Sequence, residues 1–258
     1  MSLGAVSAHR PPARRGWVEH IMGMPISVHL KGADVHGPDA AEAVSAAYAS
    51  LREMDRVFST YRPDSDVMRL RREEVTLGGC SPLVREAWRL GEEAQRVTHG
   101  AFTTLLPVGG GEFAFDPTGL VKGWAVDRAA AALAQLPDTS FCINAGGDLV
   151  VGAHPELPQE GDGAIRWTVG IEDPRDRTVI ARTVELTHGA VATSGTAARG
   201  AHLYDPASGQ MVGRSGSVTV IGPTLVWADI WATALFVGSA ATQEAFQRSA
   251  PGYTFFRL

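Results

Sequence analysis

Apolar residues along this chain follow two periods, and the switch between them outlines a mixed fold. Residues 17–30, WVEHIMGMPISVHL, read as a strand interrupted by Gly23 and Pro25. After the turn-rich GADVHGPD, Val44, Ala47, Tyr48, Leu51, Met54 and Phe58 recur at steps of three and four, which puts them on one face of a helix. Tyr61-Arg-Pro-Asp-Ser65 ends that helix, with Pro63 as the breaker. A second helix is punctuated at both ends: Ser81 suits the N-cap, Pro82 the first helical position and Gly100 the residue past the end. Its buried stripe is Val84, Ala87, Trp88, Gly91, Ala94 and Val97. A third, Ala-rich helix follows the turn FDPTG and runs from about Lys122 to Leu136.

The runs SFCINA, DLVVGA, IRWTVGIE, TVELTHGAVAT and GSVTVIG then read as strands. WADIWATALFVG and TQEAFQRSA return to helix, and YTFFRL closes as a strand. This order does not alternate as a regular βαβ series, so a doubly wound nucleotide fold is not expected. No internal repeat or low-complexity linker divides the chain. The expected architecture is α+β, with a mixed, largely antiparallel sheet and packed helices. It forms one compact domain over residues 17–258, in one body or two lobes, behind a flexible tail over residues 1–16.

Composition narrows the classes. At 258 residues, 45% hydrophobic and 20% charged, the chain is neither disordered, nor a coiled coil, nor a small disulfide scaffold. Its 29 Gly and 15 Pro predict many tight turns. A net charge of -5 gives no general footprint for nucleic acid, and no such partner is expected. Two cysteines, Cys80 and Cys142, make neither a disulfide framework nor a zinc site, and Cys142 reads as a small hydrophobe. The most apolar run, Leu225 to Val237, is too short to span a bilayer and carries Asp229, so no membrane insertion is expected. The N-terminal residues lack an apolar core of signal-peptide length and a Cys for lipid attachment, from which a soluble, cytoplasmic protein is expected.

Four segments carry candidate chemistry. Phe115-Asp-Pro-Thr-Gly-Leu-Val-Lys-Gly-Trp-Ala-Val-Asp127 is a turn leading directly into a helix, where free N–H groups and the dipole favour phosphate. Only two of the 23 Lys and Arg residues are lysines, and one of them, Lys122, lies here. The segment is not a Walker A loop, and an ordinary capped helix explains the same letters. Asn144-Ala-Gly-Gly-Asp148 permits close backbone approach to a ligand, or is a simple turn. In Ala228-Asp-Ile-Trp-Ala-Thr233, Asp229 and Thr233 are four apart and share a helix face. A buried carboxylate must neutralise, pair or bind a cation, and its oxygen with a hydroxyl suits Mg²⁺. The alternative makes Asp229 an N-cap and Thr233 a core residue bonded to its own turn. Finally, His202 precedes an Asp-Pro/Ser-Gly turn after Ala192-Thr-Ser-Gly195, where a neutral imidazole could take a proton from an alcohol. No nucleophile-elbow Gly-x-Ser-x-Gly and no His-Glu-x-x-His helix is present.

The order of these segments is more specific than any one of them. Met22-Gly-Met24, Phe58 to Ser65, Asp116 to Asp127, Asn144 to Asp148, Val191-Ala-Thr-Ser-Gly195, His202 to Gly209 and Ala228-Asp229…Thr233 together resemble the ApbE family. These are FAD:protein FMN transferases, formerly named thiamine-biosynthesis lipoproteins, and the resemblance runs from about residue 20 to the C-terminus. It implies an α+β fold that binds FAD with Mg²⁺ at the diphosphate. It also implies transfer of FMN, through a phosphoester, to a Thr or Ser of an acceptor protein with an FMN-binding domain. On this chain it implies Asp229, Thr233 and the carbonyl of Gly119 as Mg²⁺ ligands. Met22, Tyr61, Asp116 and Lys122 would be FAD contacts, and His202 the base that activates the acceptor hydroxyl.

Three departures accompany the resemblance. Thr103 stands in the Gly100-Ala-Phe-Thr103 segment where the family carries Asp, and the connection to Asp116 is short. Thr103 is kept as a cofactor-site position whose contacts differ. Pro117-Thr118 replaces the commoner Leu-Gly, and the lipoprotein Cys is missing. Hydrolysis of FAD to FMN and AMP, and FAD binding without catalysis, are the alternative activities.

Overall fold

The structure, a computed structural model, describes residues 12–161, 163–196 and 203–258. In chain order its first half comprises β1 (Ala13–Ile21), β2 (Met24–Gly32), α1 (Pro38–Phe58), α2 (Asp66–Arg71), α3 (Pro82–Val97), β3 (Leu105–Gly109), β4 (Glu112–Phe115) and α4 (Thr118–Leu133). There follow β5 (Thr139–Ala145), β6 (Asp148–Ala153), β7 (Trp167–Asp173), β8 (Asp176–Leu186), β9 (Gly189–Gly195), β10 (Tyr204–Asp205) and β11 (Gln210–Met211). The chain closes with β12 (Ser217–Gly222), α5 (Leu225–Val237), α6 (Ala240–Ser249) and β13 (Thr254–Arg257).

Seven strands form the central sheet in the order β1-β2-β5-β6-β9-β12-β13. Each neighbouring pair is antiparallel. Period-two alternation sorts its side chains into two cores. Ile26, Val28 and Leu30 of β2, Phe141, Ile143 and Ala145 of β5, and Ala190 and Ala192 of β9 join the helices in the larger core. The residues between them, Cys142, Leu149, Val151 and Val191, face the opposite side, where Trp167, Val169 and Ile171 of the β7–β8 ribbon cover them. The chain is therefore layered helix, sheet and ribbon, and the α+β expectation holds.

Helix α5 is buried almost all round, with 11 of its 13 residues buried. Burial of each large side chain, such as Trp231 or Leu235, contributes about 1.5–3 kcal/mol. α1 buries the stripe read from the sequence, together with Ala40 and Val57. Gly91 of α3 lies so close to Thr104 that a Cβ there would meet its Oγ1 at 2.5 Å.

Several boundaries differ from the sequence reading. The broken strand over 17–30 is a hairpin: Ile21 pairs with Met24, and the two loop residues Met22 and Gly23 both have positive φ, at 57° and 73°. Such pairs of left-handed residues match the twist of the flanking strands. β1 begins at Ala13, so residues 13–16, placed in the tail on sequence, are paired strand. The third helix begins at Thr118, four residues earlier than expected, and Lys122 therefore lies in its second turn. TVELTHGAVAT divides into the end of β8 and the start of β9, which belong to different sheets. The left-handed residue closing α3 is His99 as well as Gly100, with Gly100 N–H donating to Gln95 O at 2.8 Å. Among the described residues no helix is long and apolar enough to cross a membrane.

Candidate active site

One cavity of about 890 Å³ opens where the β1–β2 turn, the β5–β6 and β3–β4 hairpins, β9, β10–β11 and the helices α4 and α5 meet. It is lined by Met22, Tyr61, Thr103, Asp116, Gly119, Lys122, Asp229 and Thr233. Eight positions spread over more than two hundred residues of sequence thus converge on one space. The ninth, His202, lies outside the described residues; its chain neighbour Leu203 lines the cavity.

Local structure explains how each is delivered. Met22 sits at the tip of its hairpin because the two-residue turn forces it there. Tyr61 follows the end of α1 and is 92% exposed, an uncovered ring beside an open cavity. Thr103 Oγ1 accepts the N–H of Leu105 at 3.1 Å, so this residue closes the turn that starts β3. Asp116 Oδ1 accepts from the Thr118 N–H at 3.0 Å and the Thr118 hydroxyl at 2.5 Å, which ties the turn ahead of α4, whose N-cap Pro117 makes no side-chain cap bond. The segment is thus a turn leading into a helix, as expected, and Asp116 lines the cavity.

Asp229 is only 4% exposed and lies in the second turn of α5, which excludes the N-cap alternative. Thr233, one turn on, has its hydroxyl 2.9 Å from that of Ser194 on β9 rather than committed to its own turn alone. Lys122 bridges two buried carboxylates: it pairs with Asp148, and its Nζ stands 3.4 Å from Asp229 Oδ2. Asp148 Oδ1 also accepts the Thr193 N–H at 2.8 Å, so the Asn144–Asp148 turn anchors the lysine.

Arg71 is the residue that sequence reasoning missed. It lies on α2, lines the cavity, and pairs its Nη2 with Asp116 Oδ2 at 2.6 Å while its Nε donates to Phe115 O at 3.0 Å. A six-residue helix is too short to announce itself by period, and nothing distinguishes this arginine among many. Asp148, Thr193 and Ser194 also line the cavity, as do Asp55, Tyr204 and Met211. Burial raises the carboxyl of Asp55 above the ordinary range, with Arg62 opposing the shift. Burial likewise raises Asp127, behind the cavity wall, against two backbone hydrogen bonds that lower it.

Among the described lining residues, four carboxylates (Asp55, Asp116, Asp148 and Asp229) face two cations, Arg71 and Lys122. Among the described residues no three His, Cys, Asp or Glu side chains gather as a metal cluster. The candidate oxygen set is instead one carboxylate, one hydroxyl and one carbonyl, from Asp229, Thr233 and Gly119. Such hard donors suit Mg²⁺, which keeps several waters and shares substrate phosphates, and do not suit zinc.

The family model described as the ApbE family matches residues 22–109 and 104–256. This chain belongs to the ApbE family. The FAD:protein FMN transferase of Salmonella typhimurium is 26% identical over 262 residues, covering 81% of this chain and 75% of that one. Two solved ApbE structures share the fold. The ApbE protein of Thermotoga maritima superposes with a TM-score of 0.74 at 20% identity, covering 95% of this chain and 94% of that one. The apo flavinyl transferase ApbE of Pseudomonas stutzeri gives 0.73 at 23% identity, covering 96% of each. The α+β architecture is therefore the ApbE fold, and the cavity lies within the matched region.

Proposed function

We propose that this protein is a Mg²⁺-dependent FAD:protein FMN transferase, attaching FMN to a Thr or Ser hydroxyl of an acceptor flavoprotein. The observation that carries the reading is that Asp229 and Thr233 on α5 and Gly119 and Lys122 on α4 line one cavity, with Lys122 Nζ 3.4 Å from Asp229 Oδ2. The cavity volume is within the range of pockets that enclose small ligands and cofactors. Its excess of carboxylates argues in the same direction. A diphosphate brought against the four carboxylates and two cations of the described lining needs a further cation; of the two buried carboxylates, Asp148 is paired with Lys122 and held by the Thr193 N–H, and Asp229 shares its helix face with Thr233.

Asp229, Thr233 and the Gly119 carbonyl would hold Mg²⁺, which when bound withdraws charge from the diphosphate as it divides. Lys122, fixed by Asp148, holds a positive charge beside Asp229 and orients the phosphates. Met22 and Tyr61 offer apolar surface for the flavin or adenine ring. The acceptor oxygen bonds to the phosphorus on the FMN side, the bond from that phosphorus to the bridging oxygen breaks, and AMP leaves with that oxygen. His202 takes the proton from the acceptor hydroxyl.

The surroundings of the mouth favour a protein acceptor over water. Tyr61, Val108 and Met211 line the cavity and are exposed, and Leu105 and Phe113 (57% exposed) stand on the same β3–β4 hairpin as Val108. Exposed apolar residues gathered in one place mark interaction surfaces. The test is AMP release from FAD and Mg²⁺ with and without an FMN-binding acceptor domain. Release that depends on the acceptor supports transfer. Equal release without it reassigns the site to FAD hydrolysis, and bound FAD with no release in either tube leaves binding alone.

A further inference from the structure

The N-terminal turn of α5 is capped from another helix. The N–H of Leu225 donates to Asp127 Oδ1 at 2.9 Å and the N–H of Val226 to Asp127 Oδ2 at 2.8 Å. α5 has no acidic residue in its own first turn, and its N-cap Thr224 makes no side-chain cap bond. The Thr224 hydroxyl is engaged instead with Tyr253 Oη at 2.8 Å. One turn before Asp127, Gly123 meets the same two residues: a Cβ there would stand 2.9 Å from Leu225 O and 2.9 Å from Val226 Cα. The helices are thus in backbone contact at this point.

The spacing gives the contact its consequence. Gly119, Gly123 and Asp127 are successive i,i+4 positions on α4, and Leu225, Asp229 and Thr233 are successive i,i+4 positions on α5. Residues so spaced share one helix face: Gly123 and Asp127 meet the start of α5, and Asp229 and Thr233 continue that face of α5 to the cavity they line with Gly119. The 3.4 Å approach of Lys122 to Asp229 continues that seam toward the cavity.

We propose that Asp127 is a positioning residue: with Gly123 as its close-packed neighbour, it sets the depth and rotation of α5 against α4. The oxygens of Asp229 and Thr233 thereby meet the Gly119 carbonyl in the geometry a divalent cation requires. The proposal rests on the reading of these residues as a Mg²⁺ site. A carboxylate is required because both oxygens accept; an amide would turn N–H toward one of the two donors. Residues that orient metal ligands change metal affinity by roughly 10–100-fold when altered.

The experiment compares Asp127→Asn with the unaltered full chain in Mn²⁺ binding, measured by electron paramagnetic resonance in the presence of FAD and absence of acceptor. AMP release and acceptor transfer are followed in parallel samples. The proposal expects Mn²⁺ affinity lowered by roughly 10-fold or more, and a half-saturating Mg²⁺ for turnover raised in step. Turnover at saturating Mg²⁺ should stay within about threefold, a split that general loss of fold does not produce. Gly123→Ala, which pushes on the same contact without touching Asp127, should weaken Mn²⁺ in the same direction and keeps the test available if Asp127→Asn does not fold. Unchanged Mn²⁺ affinity in a folded variant overturns the proposal, and so does an unaltered chain that binds no Mn²⁺ with FAD. Failure of transfer with the Mn²⁺ difference intact would instead strike the flavin-transfer reading.

Discussion

Replacing Lys122 by Met tests the electrostatics of the site with little change in side-chain volume. The lysine side chain is 21% exposed, while Asp148 and Asp229, the carboxylates it bridges, are almost wholly buried. Removing one partner of a buried pair leaves the other as an uncompensated charge, which costs about 3–5 kcal/mol when burial is complete. Here Asp148 keeps the Thr193 N–H, and Lys122 keeps some solvent. Lys122→Met is therefore expected to cost about 2–4 kcal/mol, toward the low end of that range. Denaturant unfolding of the metal-free protein reads this cost directly, provided m is unchanged. Asp148→Asn on that background removes the orphaned charge while Asn retains an acceptor for Thr193, so the double variant should recover at least about half of the loss. Mg²⁺ should also restore stability more strongly in Lys122→Met than in the parent, since a cation at Asp229 no longer meets the ammonium 3.4 Å away. A loss below about 0.5 kcal/mol, or a double variant no more stable than Lys122→Met, would mean that Lys122 does not compensate a buried Asp148 carboxylate.

Other consequences are equally direct. Asp229→Asn should lower acceptor flavinylation by at least about 100-fold, beyond what outer residues of metal sites cost; Thr233→Ser, which keeps the hydroxyl, should retain more activity than Thr233→Val. Burial and then Arg14 lower the pKa of His29 below its ordinary value. The stability this gives is present above pH 6.5 and is lost as pH falls through the lowered value, because the unfolded chain takes up the proton first. The parent should accordingly lose stability relative to His29→Gln on acidification below pH 6.5, and equal pH profiles would contradict it. Cys142 is buried with its thiol pushed up to about 12, and Cys80 is buried with its thiol also raised. A thiol reagent at pH 8 should titrate neither rapidly in the native protein and both after denaturation.

What was legible in the sequence follows the length of the signal. α1 and α3 carry clear stripes, and Ser81 and Pro82 mark the start of α3 as expected, the Ser81 hydroxyl accepting the Leu83 N–H. Motif order marks the nine candidate positions, and the cavity brings eight of them together. Features resting on contact rather than period were not legible. The β1–β2 hairpin hid behind Gly23 and Pro25 because the left-handed loop residue beside Gly23 is a methionine. The β3–β4 hairpin is short and tipped by Gly109, Gly110 and Gly111, all at positive φ, so no alternation marks it. β8 is exposed along most of its length and shows no buried face to read. Arg71 acts through Asp116, 45 positions on, and Asp127 through an N–H 98 residues away. Neither separation leaves a local trace. The sequence around Asp229 suits a cap or a ligand, and the four residues of α5 preceding it decide against the cap.

Transfer of FMN to a protein is read by intact-mass analysis of an FMN-binding acceptor domain incubated with this protein, FAD and Mg²⁺. The acceptor should gain the mass of one FMN, a gain absent without Mg²⁺ and lost when the acceptor Thr is replaced by Ala. An acceptor of unchanged mass, in a tube where FAD has been converted to FMN and AMP, would contradict transfer.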